Sequence, residues 1–264
     1  MIVDHERTIG NDERIAGNID TSFLKLLALI LMLIDHLGAS LLPEIPELRI
    51  IGRMAFPIYA WCLVVGSVKT HSAWKYGLRL LLMAIVSQPL YMMALNHTWT
   101  DMNILFTLLL ALVCIQGFRA KWMYSQIWVP VLCYAALGFL KVDYGWKGLT
   151  FIIVLYLARE TRSGLCAAFL AYALFWGTGS SVIRSVFGIP LSFASLAGIG
   201  PVISAFFRLQ GMIWLALPLI AIPTHSEIHI PKWIGYGLYP LHLVLLIILK
   251  LMNGFTVEML LQGF

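Results

Sequence analysis

Long apolar runs recur along the chain, and they constrain its fold more than any other feature. An α-helix needs ~20 mostly apolar residues to cross a bilayer. The sequence therefore predicts an all-α, polytopic membrane bundle of about ten helices, or as few as eight, since three of the runs (126–140, 145–158 and 209–223) are short for a full crossing. The ten runs cover residues 23–42, 50–68, 77–95, 102–118, 126–140, 145–158, 164–180, 186–206, 209–223 and 233–252.

Composition supports the same fold class. Hydrophobic residues make up 60% of the 264 residues and charged residues 12%, with a mean hydropathy of +0.87. Soluble domains carry about 25% charged residues, so the surplus apolar surface here requires lipid. We expect one transmembrane helical domain over residues 23–253, a short cytoplasmic tail at 1–22 and a short C-terminal tail at 254–264.

Lysine and arginine lie at the ends of the apolar runs, which argues against nucleic-acid binding and allows a test of topology. With ten crossings, the side that carries the N-terminus holds 12 of the 18 Lys and Arg residues, and the other side holds 6. The early loops decide this distribution, because Lys69, Lys75 and Arg79 oppose a loop at 96–101 without Lys or Arg. The positive-inside rule thus predicts a protein of the cell (inner, cytoplasmic) membrane with a cytoplasmic N-terminus. Ten crossings return the C-terminus to that side, and nine do not.

Cysteine and histidine spacing gives no sign of a metal centre. The cysteines fall inside apolar runs without a CxxC spacing, which is typical of small core residues. The pair His225 and His229 lies in a polar loop, and the histidines lack an HExxH pattern. We therefore predict no metal.

Asp35 and His36 are adjacent ionisable residues inside the first apolar run. An acid at such a depth costs roughly 2.5–3.5 kcal/mol on insertion scales, so it marks a candidate functional site. His36 follows Lys25 by eleven residues, which puts the two on almost the same helical face, ~16 Å apart along the axis. Asp35 points roughly 100° aside. It is a candidate catalytic partner of His36 or a structural anchor.

Two further groups accompany this pair. Arg53 enters the second run, and its pairing with Asp35 would offset the cost of burying both charges. In the last run, Tyr239 and His242 are three residues apart on one helical face, with Pro240 between them disturbing the backbone hydrogen bonds. The alternative for these two is an interfacial aromatic residue and a packed histidine.

Polar residues also mark the entrances to two other runs. Asn103 precedes the fourth run, and Asp143 and Tyr144 precede the sixth. These side chains either line an outward vestibule or cap their helices, and the sequence leaves both interpretations open.

In order along the chain, these blocks resemble the TraX family of conjugative-transfer membrane proteins, whose role is N-terminal acetylation of pilin. The first and last blocks are also similar to the wider transmembrane acyltransferases, in which an intramembrane histidine serves acyl transfer from cytoplasmic acyl-CoA. The matching segments are residues 24–36, 52–57, 103–106, 144–145 and 239–243.

This resemblance implies a role for each block. His36 becomes the catalytic base, with Asp35 beside it, and Lys25 lies on the donor side. Near the start of the first run, this sequence has one basic residue where the acyltransferase pattern has a spaced arginine pair. Other cations are therefore candidates to share donor binding with Lys25: Arg79, Lys75, Arg119 and Lys121. Candidates for contact with the acceptor or the transition state are Arg53, Asn103, Tyr144, Tyr239 and His242.

The leading hypothesis is an acetyl-CoA-dependent acyltransferase in the lipid bilayer, with acetyl-CoA or another acyl-CoA as co-substrate. Its acceptor is an amine or hydroxyl group on a protein, such as a pilin terminus, or on a sugar or glycan. Two alternatives remain. One is a proton-coupled transporter that uses Asp35 and His36 as a relay, and the other is a non-catalytic membrane subunit of a conjugation or secretion complex. The sequence does not define the oligomeric state.

Overall fold

The structure, a computed structural model, is mostly helical and describes residues 14–183, 185–191 and 198–263. Within these ranges the α-helices are α1 (Thr21–Ser40), α2 (Pro46–Gly52), α3 (Ala55–Lys69), α4 (Ala73–Leu95), α5 (Ile104–Ala120), α6 (Ser125–Ala136), α7 (Gly145–Ala158), α8 (Arg162–Thr178), α9 (Gly200–Phe206), α10 (Leu217–Ala221), α11 (Lys232–Met252) and α12 (Val257–Leu260). Two 3-10 helices cover Trp122–Tyr124 and Gly211–Ala216. The short strands are β1 (Asp101–Met102), parallel to β2 (Lys141–Val142), and β3 (Ser185–Val186), antiparallel to β4 (Ile189–Pro190).

Membrane-crossing length is reached early in the chain. Among the described residues, the segments Thr21–Ser40, Pro46–Lys69 and Ala73–Leu95 are long and apolar enough to span a bilayer. Shorter apolar helices follow at Ile104–Ala120, Gly145–Ala158, Gly211–Ala221 and Gly237–Met252. The predicted helical fold is confirmed in so far as the described chain is mostly helical and has three candidate membrane spans, whereas the prediction of about ten crossings is not confirmed.

Contacts between helix ends define two faces of the bundle. The N-terminal face carries the start of α1. There the backbone N–H of Asn18 donates to the carbonyl of Ile220 at the end of α10, and the N–H of Ala16 donates to the carbonyl of Arg159, which follows α7. We call the other side, which carries the end of α1, the opposite face.

The opposite face joins the other ends of the same helices. Lys141, after α6, forms a salt bridge with Asp101, before α5, with 2.5 Å between Nζ and Oδ1. At the end of α11, the Lys250 ammonium donates to the side-chain oxygen of Asn96 after α4. Lys250 therefore lies on the face opposite the start of α1, although the ten-crossing topology assigned it to the N-terminal side.

Within the described ranges, nine helical segments connect the two faces: α1, α2 with α3, α4, α5, α6, α7, α8, the helices of 211–221, and α11. The described parts of the apolar run at 186–206 make no such connection. Val182 and Arg208 form a bridge, and the N–H of Phe187 donates to the Glu47 carboxylate on α2. The described parts of the run are the hairpin of β3 and β4 and the short α9, and residues 192–197 of the run lie outside the described residues.

The core is centred on α3, which is buried on most of its surface. Its Trp61 is fully buried and donates from Nε1 to the carbonyl of Asn18 at 2.6 Å. Asn18 is fully buried too, so the last residues of the predicted N-terminal tail are part of the bundle. Asp20 then caps α1 by accepting from the N–H of Phe23. In the C-terminal tail, Leu260 of α12 is buried.

Candidate functional site

Two cavities enter the bundle, and α1 contributes to both. The N-terminal cavity has a volume of about 290 Å³ and contains residues from the beginnings of α1, α4 and α11. The opposite cavity has a volume of about 350 Å³ and contains residues from the ends of α1, α4 and α8. The two cavities lie at opposite ends of the same helices, so each is near one face of the bundle.

Cations and apolar side chains line the N-terminal cavity together. Lys25, Lys69 and Arg79 supply the positive charge, and no Asp or Glu of the described chain lines it. Its apolar wall includes Leu63 and Leu80. Tyr59, Cys62, Thr70, Tyr76 and Tyr239 also line this cavity.

Not all the predicted donor ligands reach this cavity. Lys25 and Arg79 line it, and Lys69 joins them. Lys75 is exposed and lies outside the lining. Arg119 donates to the carbonyl of Ser67 at 2.6 Å. Lys121 is exposed after α5, where it adopts a left-handed conformation.

An ion cluster forms one wall of the opposite cavity. The Asp35 carboxylate accepts from Arg53 through Nε at 3.1 Å and through a second short contact, and it accepts from Arg49 at 2.8 Å. The predicted pairing of Asp35 with Arg53 is present, and Arg49 extends it to a three-residue cluster. Gly52 allows the close approach of α2 to α1, because a Cβ at this position would collide with the side chain and backbone of Asp35.

The segment before α7 forms another wall of the same cavity. Tyr144 has a left-handed backbone (φ 60°), stacks on Phe56 at 4.2 Å between centroids and lies 5.9 Å from the Arg53 guanidinium. The Asp143 carboxyl accepts from the Tyr144 N–H at 2.9 Å, and within the described chain it has no salt-bridge partner. Burial raises the pKa of this carboxyl to about 6, while the charge of Arg53 opposes the shift.

A pair of stacked imidazoles lies between the cavities. The rings of His36 and His242 are 5.5 Å apart between centroids and 19° from parallel. His36 lines the opposite cavity, while Tyr239 lines the N-terminal cavity and contacts the His242 ring at 5.1 Å. His242 is 4% exposed, and neither of its ring nitrogens has a hydrogen-bond partner among the described residues.

The predicted residues therefore divide into groups. Lys25 and His36 share a helix but line different cavities, and Tyr239 with His242 occupies the space between them. Asn103 lines neither cavity. Its amide nitrogen donates to the Ala84 carbonyl and the Gln88 side chain, and its oxygen caps α5.

Sequence reasoning missed several lining residues. Lys69 was noted only for its charge in the topology test, although its position at the end of an apolar run marks a helix mouth. Trp176 and Gln210 line the opposite cavity from distant parts of the chain and carry no motif that would have identified them. Arg49, Tyr91 and His97 also line this cavity and were not predicted.

Comparison with known proteins establishes the family. A family model described as TraX protein matches residues 20–250, which include the lining residues of both cavities. The chain belongs to the TraX family. The resemblance found from the sequence blocks is thereby confirmed, and TraX membership with several apolar helices fits a membrane protein of the conjugation system.

Relatives of this TraX protein occur in other bacteria. It is 25% identical over 240 residues to the "Uncharacterized protein RP591" of Rickettsia prowazekii (strain Madrid E), covering 86% of this chain and 89% of the relative. It is 28% identical over 173 residues to the "Probable fimbrial assembly protein FimC, serogroup H1" of Dichelobacter nodosus, covering 60% of this chain and 70% of the relative. No solved structure matches the chain significantly.

Proposed function

We propose that this TraX protein is an integral membrane acyltransferase that moves an acetyl group from acetyl-CoA to an acceptor entering from the other side of the membrane. The observation that carries the proposal is the imidazole pair between two cavities at opposite ends of the bundle. We assign the N-terminal face to the cytoplasm of the cell membrane. With Lys232 on that face and Arg208 and Lys250 on the other, the basic residues still favour this orientation.

The N-terminal cavity suits the acyl-CoA donor. Lys25, Lys69 and Arg79 offer cations to the phosphates of the nucleotide, which stays at the mouth. The apolar wall of Leu63 and Leu80 accommodates the pantetheine arm and the thioester, which then reach Tyr239 at the inner end. A partly apolar cavity with a few convergent polar groups is the usual form of a small-molecule site.

The opposite cavity suits the acceptor, and His36 acts there as the base. An acceptor amine attacks the thioester carbonyl carbon, the new C–N bond forms, the C–S bond breaks, and His36 takes the proton from nitrogen. Asp143, which has no salt-bridge partner in the described chain, offers a carboxyl for an incoming ammonium group. We favour an amine, as in the pilin acetylation to which the family is linked, over a sugar hydroxyl.

The charged side chains of the opposite cavity are held in place by contacts within the protein. Arg53 and Tyr144 lie together at the wall, so they are the candidates for stabilising the oxyanion of the tetrahedral intermediate. Asp35 acts as a positioning residue because its carboxylate holds both Arg49 and Arg53. This division makes His36 the catalytic member of the Asp35-His36 pair.

Radiolabelled acetyl-CoA and purified protein in nanodiscs test the function. The wild type should acetylate a peptide with a free N-terminal amine, and His36→Gln should reduce the rate by ~10²–10⁴-fold, the usual contribution of a positioned general base. His71→Gln is the matched control, because His71 is an exposed histidine in the α3–α4 connection. Undiminished turnover by His36→Gln with retained thermal stability would contradict the assignment.

The same two cavities also favour a second candidate, a proton-coupled transporter. Cavities from opposite faces that meet at ionisable residues suit alternating access as well as acyl transfer. Solute uptake into proteoliposomes driven by a pH gradient without acyl-CoA would support this candidate. Acetyl transfer without any such uptake would exclude it in favour of the enzyme.

A further inference from the structure

We infer that Tyr239 is the acid that protonates the leaving sulfur of CoA, and that His242 connects it to His36. This inference rests on the proposed acyl transfer and adds the source of the proton that the leaving thiolate takes up. It makes Tyr239 a catalytic residue, since its hydroxyl meets the reacting sulfur, and His242 a positioning residue that acts through Tyr239.

The reaction releases a proton in the opposite cavity and consumes a proton in the N-terminal cavity. When the amine attacks, its proton goes to His36 in the opposite cavity. When the C–S bond breaks, the electron pair stays on sulfur in the N-terminal cavity, and the thiolate needs a proton to leave as a thiol. Acceptor and donor enter from opposite sides, so a connection through the bundle lets one proton serve both steps without an outside acid.

Tyr239 lies at the point where this proton is needed. It lines the N-terminal cavity, and its ring contacts His242 edge-on at 5.1 Å. His242 in turn stacks on His36 at 5.5 Å. A phenol at the inner end of the donor cavity thus connects through one imidazole to the base of the acceptor cavity.

The ring nitrogens of His242 are not hydrogen-bonded into the fold. Neither nitrogen of His242 has a hydrogen-bond partner in the described part of the chain, although the residue is 4% exposed. The Tyr239 side chain, 7% exposed, lines the N-terminal cavity beside it. Buried polar groups without partners cost free energy, and active sites are a recurrent reason for retaining them.

The proton passes from the acceptor side to the donor side. Tyr239 gives its proton to the thiolate and is left as a phenolate. The His36 imidazolium passes its proton to the neutral His242, and the His242 imidazolium so formed protonates the phenolate, so both histidines return to the neutral state. The net change is one proton moved from the acceptor nitrogen to the CoA sulfur, and no further reactant is required.

Dependence on the leaving group tests the assignment. Tyr239→Phe removes one hydroxyl and keeps the ring. With acetyl-CoA, the kcat/KM of this variant should fall by ~10²-fold or more, because an alkyl thiolate needs protonation as it leaves. With an acetyl thioester of an aryl thiol, whose thiolate leaves unprotonated, the variant should match the wild type. His242→Gln should show the same selective loss.

Tyr134→Phe is the control, since Tyr134 on α6 lines neither cavity and its hydroxyl bonds to Thr150. It should turn over both donors like the wild type. If the kcat/KM of Tyr239→Phe fell equally with both donors, or fell with neither, the assignment of Tyr239 would be overturned and the proposed function would stand. A wild type that transfers acetyl from neither donor would overturn the proposed function and this inference with it.

Discussion

The two cavities handle charge in different ways. The N-terminal cavity presents Lys25 and Lys69 without any described acidic side chain in its lining, whereas in the opposite cavity Asp35 neutralises part of the charge of Arg49 and Arg53. The first arrangement presents positive charge that an anionic ligand could neutralise. The second is complete within the protein. Under the proposed function, charge in one cavity serves to bind the donor, and charge in the other serves structure and the transition state.

The largest expected effect tests the structural role of the opposite cavity. The Arg53 side chain is 6% exposed and the Arg49 side chain 29%, yet both bind the same carboxylate. Removing one partner of a buried ion pair costs about 3–5 kcal/mol, while a partly exposed pair contributes about 1 kcal/mol or less. Arg53→Gln should therefore unfold at a much lower temperature than Arg49→Gln, as measured by thermal unfolding in detergent.

Asp35→Ala completes this test, because it leaves both guanidiniums without their carboxylate. It should lower stability at least as much as Arg53→Gln. Equal and small losses for both arginine variants would mean that the cluster is solvated, and the contrast between the cavities would then fail.

The sequence predicted some parts of this arrangement well. The cost of burying a lone acid pointed directly to a partner for Asp35, and Arg53 at the entrance to the next apolar run was the predicted one. Helical periodicity likewise put Tyr239 and His242 on one face, where the structure has them in contact. These predictions succeeded because each depends on local spacing or on a large electrostatic penalty.

Other parts depend on tertiary packing, which local patterns do not contain. The shared face of Lys25 and His36 suggested one continuous donor path, but α11 packs against α1 and inserts Tyr239 and His242 between the two ends. The apolar run at 186–206 had the composition of a crossing. Its described parts form a hairpin and the short α9, a bridge joins Val182 to Arg208, and Lys250 lies on the opposite face.

The next effect is smaller and depends on pH. Burial raises the pKa of Asp143 to about 6, above its unfolded value near 4, so folding favours the protonated form. This contribution to stability is fully present below pH 4 and is lost as the pH rises through 6. Asp143→Asn, which stays neutral, should be more stable than the wild type by about 3 kcal/mol at pH 7.5 and nearly equal to it at pH 4. Thermal unfolding at the two pH values measures the difference.

A wild type that is more stable than Asp143→Asn at pH 7.5 would show that the ionised carboxyl is stabilised by its neighbours. Arg53 and Arg49 would then be its effective partners, and Asp143 would belong to the ion cluster. The acceptor site would then have no carboxyl available for an ammonium group. The contrast between the two cavities would grow, because the charges of the opposite cavity would all be paired.

The smallest expected effect concerns the donor. Lys69→Gln removes one cation from the mouth of the N-terminal cavity, and a charged hydrogen bond to phosphate contributes about 1.5 kcal/mol, or ~10-fold in the KM for acetyl-CoA. The kcat should stay unchanged, because the lysine is far from the imidazole pair. Lys75→Gln is the matched control, since Lys75 is on the same face but outside the cavity lining.

S-acetyl-pantetheine, which lacks the nucleotide and its phosphates, separates a charge effect from a structural one. Lys69→Gln should use this donor as well as the wild type does, and added salt should narrow the difference seen with acetyl-CoA, because exposed charges are screened within ~10 Å at 0.1 M ionic strength. An equal loss with both donors would mean that Lys69 shapes the cavity instead of binding phosphate. Lys69 would then have a structural role, as the arginines of the opposite cavity do.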